Sequence, residues 1–164
     1  MTMDDCLVRP ATAADAVAIA EIYNEGITRR IATFETRLRT PADIEAWLAQ
    51  ARFPFFVAQV NGTVVAWAAA SEYRPRECYR GIAEFSVYVR EAFQGRGLGR
   101  AVMEALIGAC AQRGYWKLVS RIFVENTASR ALCRRLGFRE VGIYERHGQL
   151  DGVWRDVVIV EKCL

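Results

Sequence analysis

No stretch of this 164-residue sequence approaches the roughly 18 consecutive apolar residues that a membrane-spanning helix requires. The first residues, Met-Thr-Met-Asp-Asp-Cys, also lack the basic and apolar regions of a signal peptide. We therefore expect a cytoplasmic protein that does not engage a membrane.

Histidine is scarce, and the cysteines form no close pairs. The sequence has one histidine, His147, and five cysteines that include no Cys-x-x-Cys pair. An odd number of widely spread cysteines gives neither a disulfide framework nor the ligand spacing of a zinc site. We expect reduced thiols and no bound metal.

Charge of one sign is not in large excess either. The 22 lysines and arginines stand against 19 acidic residues, which leaves a net charge of +3, and the basic residues are dispersed among the acids. This pattern does not favour nucleic-acid binding, although a mild positive balance suits a polyanionic cofactor. The length and the 52% hydrophobic content predict a single globular domain over residues 1–164.

The most informative stretch is a glycine-rich turn between a predicted strand and a predicted helix. Apolar residues from Leu98 to Cys110 recur with a period near 3.6, which predicts a helix that begins near Gly97. The unpaired N–H groups and the positive dipole of a helix N-terminus favour a phosphate there. A dinucleotide fingerprint fails because Arg100 stands where its third glycine belongs, and no Gly-Lys-Ser/Thr of a Walker A loop is present.

The remaining chain alternates between strand and helix patterns. The predicted strands lie near residues 7–10, 55–60, 63–70, 82–89, 117–123, 138–144 and 153–161, and the predicted helices cover residues 12–26, 40–51, 97–110 and 126–136. Asn61-Gly62 predicts a hairpin between the second and third strands. The sum is an α/β (α+β) fold with a mixed sheet and about four helices.

The glycine-rich turn resembles the acetyl-CoA motif of the Gcn5-related N-acetyltransferases (GNAT). It reads Gln94-Gly95-Arg96-Gly97-Leu98-Gly99 and fits the pattern Gln/Arg-x-x-Gly-x-Gly/Ala directly after a Val-Tyr-Val strand. The resemblance extends over nearly the whole chain through Arg9-Pro10-Ala11-Thr12, Ala32-Thr33-Phe34-Glu35, Glu125-Asn126-Thr127-Ala128-Ser129, Leu136-Gly137-Phe138 and Gly152-Val153-Trp154-Arg155-Asp156. These stretches are similar to the phosphinothricin acetyltransferase branch, and residues 146–158 are similar to arsinothricin resistance N-acetyltransferases. The resemblance implies the GNAT fold, a mostly antiparallel sheet of about seven strands.

The same resemblance implies acetyl-CoA as cosubstrate and names the residues that bind it. The pantetheine is expected along the backbone of Val87, Tyr88 and Val89, where the strand separates from its neighbour. The pyrophosphate is expected at the turn, formed by Gln94, Gly95, Arg96, Gly97, Leu98, Gly99 and Arg100. Asn126 is expected to contact the cofactor, and the alternative of a helix N-cap stays open because one asparagine can do both.

Two residues match positions to which the family assigns proton transfer. Glu84 matches the proposed catalytic glutamate, which takes a proton from the substrate ammonium; the alternative is a solvent-facing glutamate on a half-exposed strand. Cys133 stands where the superfamily often has a tyrosine acid and phosphinothricin enzymes a histidine. It is either the acid that protonates the CoA thiolate or a buried thiol without a role.

For the substrate, the resemblance implies a small amino acid whose acidic groups are held by cations. Arg74, Arg76 and Arg80 precede Glu84 and are the candidates, with a solvated loop as the alternative. Phe34 resembles the aromatic wall of the pocket, donated within the chain or across the homodimer that the family implies. We interpret His147 as a structural or surface residue rather than a catalytic one. We interpret Trp154 and Asp156 as packing residues.

The function expected from these residues is acetylation of the α-amino group of a small acidic amino-acid analogue, which confers resistance to it. Leu150-Asp151 departs from the phosphinothricin pattern, so arsinothricin, methionine sulfoximine and methionine sulfone stand beside phosphinothricin as substrates. Two alternatives remain, an acetyltransferase for protein or peptide amines and an acetyl-CoA sensor without catalysis.

Overall fold

The structure, a computed structural model, describes residues 6–164. The first five residues, on which the expectation about a signal peptide rests, lie outside this range. The strands are β1 (Cys6–Pro10), β2 (Phe55–Val60), β3 (Thr63–Glu72), β4 (Ile82–Val89), β5 (Lys117–Phe123), β6 (Arg139–Leu150) and β7 (Val153–Cys163). The α-helices are α1 (Ala16–Arg29), α2 (Pro41–Leu48), α3 (Leu98–Gln112) and α4 (Thr127–Arg135).

Within residues 6–164 the strands form one seven-stranded sheet in the order β1-β2-β3-β4-β5-β7-β6. Every neighbouring pair is antiparallel except β4 and β5, which are parallel. A parallel pair needs a crossover, and α3 supplies it between these two strands. The predicted mixed, mostly antiparallel sheet with about four helices is confirmed.

Helices cover both faces of the sheet, and each face has its own core. One core joins α3 and α4 to the sheet and includes Val102, Leu106 and Leu118. The other joins α1 and α2 to β2 and β3 around Trp67, which is fully buried. The two layers fix β4 and β5 between them, which positions the site described below.

The first helix runs past the glycine at which its end was predicted. Gly26 lies inside α1, because the helix continues to Arg29 and ends at Arg30 in a left-handed conformation with φ of 58°. A Cβ at Gly26 would lie 2.6 Å from Cε1 of Tyr88, so glycine is needed there for the close approach of α1 to β4. The second helix, in contrast, ends at Leu48, three residues before the predicted end near Ala51.

The last two strands form a longer hairpin than the apolar pattern predicted. Asp151 and Gly152 connect them with φ values of 50° and 77°, as a two-residue hairpin turn with both central residues left-handed requires. The pairing register shifts between Tyr144 and Gly148, and Arg146 has φ of 49°. These features mark a bulge in β6, beyond the predicted end of this strand near residue 144.

Asp156 holds this bulge in place. Its Oδ1 accepts a hydrogen bond of 2.7 Å from the backbone N–H of Arg146. Its role is therefore more specific than the packing inferred from the sequence, since it satisfies a donor that the interrupted ladder leaves unpaired.

Among residues 6–164, no helix has both the length and the apolar character that a membrane-spanning segment requires.

Candidate active site

The sheet opens between its two parallel strands. β4 pairs with β5 at Ile82, Ala83 and Glu84. The last pair of this ladder is Glu84 with Val119. Beyond this point the backbones diverge, and the Ser120 hydroxyl bridges the gap by donating to the Phe85 carbonyl at 3.1 Å. The second half of β4 therefore lies beside an opening that β5 does not fill, as the resemblance implied.

A cavity of about 450 Å³ occupies this opening. Its walls come from β4, β5, the N-terminus of α4, the segment after α1 and the bulged part of β6. The lining residues are Tyr23, Ala32, Thr33, Phe34, Glu35, Glu84, Phe85, Ser86, Val87, Tyr88, Ser120, Arg121, Ile122, Phe123, Asn126, Ser129, His147, Gly148 and Val157. Glu84, Phe34, Val87, Tyr88 and Asn126 are the sequence-predicted site residues that the structure brings together here.

An ion pair stands at the point where the strands separate. Arg121 donates from Nη2 to Oε1 of Glu84 at 2.9 Å, and both side chains line the cavity. The Glu84 side chain is 26% exposed and that of Arg121 is 49% exposed. Glu84 is therefore a partnered carboxylate that faces the cavity, rather than a glutamate on a solvated strand surface. Arg121 was not among the predicted site residues, because it belongs to no motif and its pairing is visible only in the fold.

Phe34 forms one wall of the cavity from within its own chain. Its ring packs edge-on against Phe123 with centroids 4.8 Å apart. A Cβ added at Gly148 would lie 2.9 Å from Cε1 of Phe34, so the ring rests directly on the β6 backbone.

Two tyrosines make a polar corner of the cavity. The Tyr23 and Tyr88 rings meet edge-on at 5.0 Å, and Tyr88 stacks on Trp67 at 4.9 Å. Burial raises the pKa of both phenols, so they remain protonated donors at neutral pH. Glu35 shares this corner and pairs with Arg39 at 2.8 Å.

His147 lines the cavity, although the sequence indicated a structural or surface role. It follows Arg146 in the bulge of β6, and its ring lies 5.0 Å from that of Tyr144. Because a bulge changes the direction of the strand, it brings this exposed side chain to the cavity. The apolar pattern of β6 gave no signal of that change.

The glycine-rich turn lies at the end of β4 and outside the lining of the cavity. Gly95 and Gly97 have φ values of 77° and 80°, a left-handed conformation that favours glycine, and α3 begins at Leu98 as predicted. Arg96 lies over the Phe93 ring, and Arg100 pairs with Glu104 at 2.7 Å. The turn thus presents the free N–H groups of a helix N-terminus beyond the opened strands.

The structure shows one of the two roles expected of Asn126, the helix N-cap, and the cofactor contact stays a prediction. Its side-chain oxygen accepts a hydrogen bond of 3.2 Å from the Ser129 N–H, which makes it the N-cap of α4. It also lines the cavity. Its amide NH₂ group is the part available to a ligand, because the oxygen is used in the cap.

The proposed acid Cys133 requires a correction. Its side chain is 1% exposed, packs in the core beneath α4 and does not line the cavity. Burial, with Glu140 nearby, raises the pKa of the thiol to about 12. The structure therefore favours the alternative of a buried thiol without a catalytic role.

The arginines predicted to bind substrate also lie elsewhere. Arg74 and Arg76 are exposed and lie over the rings of Tyr73 and Tyr79, at 5.1 and 6.0 Å. Arg80 pairs with Glu77 at 3.0 Å. These arginines do not line the cavity, because the turn after β3 directs them into solvent. Their role as substrate ligands stays a prediction, with the solvated loop as the alternative.

Comparisons with known proteins find a family and similar sequences. A family model described as the acetyltransferase (GNAT) family matches residues 18–138. The chain is 37% identical over 161 residues to an L-methionine sulfoximine/L-methionine sulfone acetyltransferase of Pseudomonas paraeruginosa, which covers 94% of this chain and 92% of that protein. It is 33% identical to a phosphinothricin N-acetyltransferase of Streptomyces viridochromogenes, over 92% of this chain and 83% of the relative.

A solved structure shows the same fold. The phosphinothricin acetyltransferase of Sinorhizobium meliloti, in complex with acetyl-CoA, superimposes with a TM-score of 0.92 at 31% identity. The match covers 98% of this chain and 89% of that one.

Proposed function

Because the chain belongs to the acetyltransferase (GNAT) family, among the phosphinothricin and methionine sulfoximine N-acetyltransferases, we propose that it acetylates the α-amino group of a small amino-acid analogue. The observation that carries this proposal is the Glu84–Arg121 pair, which stands in the cavity where β4 and β5 separate. The proposed consequence is resistance to the analogue, since an acetylated amine no longer resembles the amino acid.

The chain offers acetyl-CoA both polar backbone and a phosphate-binding turn. The half of β4 from Val87 to Val89 has no strand partner on the β5 side, which suits the amide groups of pantetheine. The turn from Gln94 to Arg100 ends in the N-terminus of α3, which suits the pyrophosphate. Asn126 lines the same cavity as Val87 and Tyr88, and its NH₂ group is available to a ligand there.

Glu84 is the proposed base. Acetyl-CoA supplies the acetyl group as a thioester. The substrate amine attacks its carbonyl carbon, the new N–C bond replaces the C–S bond, and the amine proton passes to Glu84 directly or through water. Arg121 holds one carboxylate oxygen, and the other oxygen, Oε2, remains for this proton.

The departing thiolate needs a proton from a group other than Cys133. A thiol with a pKa of about 12 is a weaker acid than an ordinary thiol of pKa about 8.5, so transfer to CoA would run uphill. We propose that the thiolate is protonated from water.

A small substrate fits the enclosed side of the cavity better than a peptide. The segment from Ala32 to Glu35 covers one side, and Phe34 is packed against Gly148. The volume of about 450 Å³ must hold both the amino acid and the thioester end of the cofactor. The relatives acetylate phosphinothricin, methionine sulfoximine or methionine sulfone, and we propose these, with arsinothricin, as the substrate class.

We also propose that the protein is a homodimer. β6 is an edge strand of the sheet, and it exposes the apolar side chains of Val141, Ile143 and Tyr144. Trp154 on β7 is also 48% exposed. A second copy of the chain is the proposed cover for this surface.

Light scattering tests the homodimer. It should give a dimer mass for the wild type and a monomer mass for Ile143→Glu; a monomeric wild type would contradict the proposal.

The test is thiol release from acetyl-CoA across a panel of amines. The panel contains phosphinothricin, arsinothricin, methionine sulfoximine, methionine sulfone, ordinary amino acids and a peptide. We expect turnover on at least one of the four analogues at a rate well above that on the peptide. Turnover on the peptide alone would support the peptide acetyltransferase, and binding of CoA without any turnover would support the sensor.

A further inference from the structure

Arg121 is the one lysine or arginine among the described residues that line the cavity. It lies on β5 next to Ile122 and Phe123, which are buried, while its own side chain is half exposed toward the opening. The cavity therefore contains one permanently cationic group, and that group stands beside the proposed base.

The guanidinium of Arg121 has more N–H donors than its contact with Glu84 uses. Glu84 is its one partner within residues 6–164, and the contact uses a single nitrogen, Nη2. An arginine has five N–H donors in a planar fork that matches a carboxylate with two parallel hydrogen bonds. Arg121 can therefore bind a second carboxylate while it remains close to Glu84.

The pair also matches the charges of a free amino acid. A positive and a negative group stand 2.9 Å apart in the cavity, and an α-amino acid carries an ammonium and a carboxylate on the same carbon. If the ammonium meets Glu84, the carboxylate falls next to Arg121. A lysine side chain or a peptide N-terminus carries no carboxylate at that place.

We propose that Arg121 binds the α-carboxylate of the substrate and thereby restricts the enzyme to free α-amino acids. This inference rests on the proposed function, because it assumes that the substrate amine meets Glu84. Arg121 can turn from Glu84 to the substrate carboxylate at little cost, since an ion pair as exposed as this one contributes little to stability. The proposal replaces the arginines of residues 74–80 with a residue from the opposite strand.

The test compares L-methionine sulfone with its α-carboxamide as acetyl acceptors. Methionine sulfone has the α-carboxylate as its single anionic group, so the amide removes the interaction in question and little else. For the wild type we expect kcat/KM to be roughly tenfold to hundredfold higher for the acid than for the amide. For Arg121→Gln we expect this preference to disappear, and for Arg121→Lys a partial preference, because lysine keeps the charge without the fork.

Arg134→Gln is the matched control. Arg134 is also a half-exposed arginine that binds a glutamate at 2.9 Å, but its partner Glu140 and its helix α4 place it outside the cavity lining. The acid-to-amide preference should be unchanged in this variant. An unchanged preference in Arg121→Gln would overturn the proposal, even if both rates fell together through loss of the partner of Glu84.

Calorimetry separates this proposal from the proposed function. Methionine sulfone is titrated into each variant loaded with CoA, and we expect the dissociation constant to rise at least tenfold in Arg121→Gln and to stay constant in Arg134→Gln. Binding that depends on Arg121 without turnover would refute the acetyl transfer and keep the carboxylate site. Turnover that does not depend on Arg121 would refute the carboxylate site alone, and the lack of both would refute both.

Discussion

At the scale of single residues, burial decides what Cys133 can do. The thiol is held in the core with its pKa raised to about 12, so it stays protonated throughout the pH range of ordinary assays. We expect Cys133→Ala to keep kcat within about twofold of the wild type. We also expect it to lower the free energy of unfolding by about 1 kcal/mol through lost packing.

Steady-state kinetics and urea unfolding measure these two quantities. Thiol labelling of the native protein supplies a further check, because Cys78 and Cys163 are exposed and Cys110 and Cys133 are buried. The exposed pair should react first. A fall in kcat of more than tenfold without a change in stability would return Cys133 to the mechanism.

The residues that line the cavity show which positions a sequence can indicate. Glu84, Asn126 and Phe34 were predicted because they match family motifs, and all of them line the cavity. Arg121 was missed because the contact that defines it joins residues 37 positions apart on different strands. Arg74 was predicted partly from its nearness to Glu84 in sequence, and it does not line this cavity.

At the scale of elements, the contact between Gly148 of β6 and the Phe34 ring sets the position of that ring in the cavity wall. Its φ lies outside the left-handed region, so alanine fits the backbone, but the new Cβ would meet the Phe34 ring at 2.9 Å. The ring must then shift, and because Phe34 lines the cavity, the shape of the cavity changes. We expect Gly148→Ala to lower kcat/KM for the amino-acid substrate by roughly tenfold, with a small change in stability.

Gly142→Ala is the control on the same strand, because a Cβ there meets nothing within 4 Å. The kinetics of this variant should match the wild type. Equal kinetics for both alanine variants would show that the packing of Phe34 on β6 does not shape the site.

Asp15 joins the first strand to the first helix and predicts a pH dependence of stability. Its carboxylate accepts two hydrogen bonds of 2.8 Å from Arg9 and one from the Thr12 N–H. The Arg9 hydrogen bonds lower the pKa of Asp15 in the folded state. Its stabilisation is therefore complete above the unfolded pKa of about 3.9 and is lost as the pH falls through the lower folded value.

We expect Asp15→Asn to lower the free energy of unfolding by about 2 kcal/mol at pH 7. The difference from the wild type should shrink below about pH 4. Asp151→Asn is the control, because it removes an exposed pair with Arg30 and should change stability by less than about 0.5 kcal/mol. Urea unfolding at several pH values measures both, and a difference independent of pH would contradict the linkage.

Elements with strong periodicity were predictable, whereas those set by tertiary contacts were not. The strands Ile82–Val89 and Lys117–Phe123 have the predicted bounds, and the Asn61-Gly62 hairpin is present. Gly26 was taken as a helix end, because its contact with Tyr88 cannot be seen in sequence. The bulge in β6 was also missed, although Asp151-Gly152 is a hairpin signal that would have indicated the longer strand.

At the scale of the whole molecule, the site arises where the one parallel pair of the sheet separates. β4 is held by β3 along its length, and β5 is held by β7 over seven residues. Each therefore keeps its own direction once their mutual pairing ends at Glu84. Hydrophobic pattern predicts the strands and their cores, but this divergence depends on the twist and order of the complete sheet.

The central claim is that this opening is an acetyl-transfer site in which Glu84 takes the proton from the amine. The most direct test is the pH profile of kcat for Glu84→Gln, beside Glu21→Gln, which removes a carboxylate paired with Arg90 outside the cavity. We predict that Glu84→Gln lowers kcat more than about tenfold at neutral pH and recovers partly at high pH, where the free amine is more abundant. An unchanged kcat in Glu84→Gln at neutral pH would contradict the account.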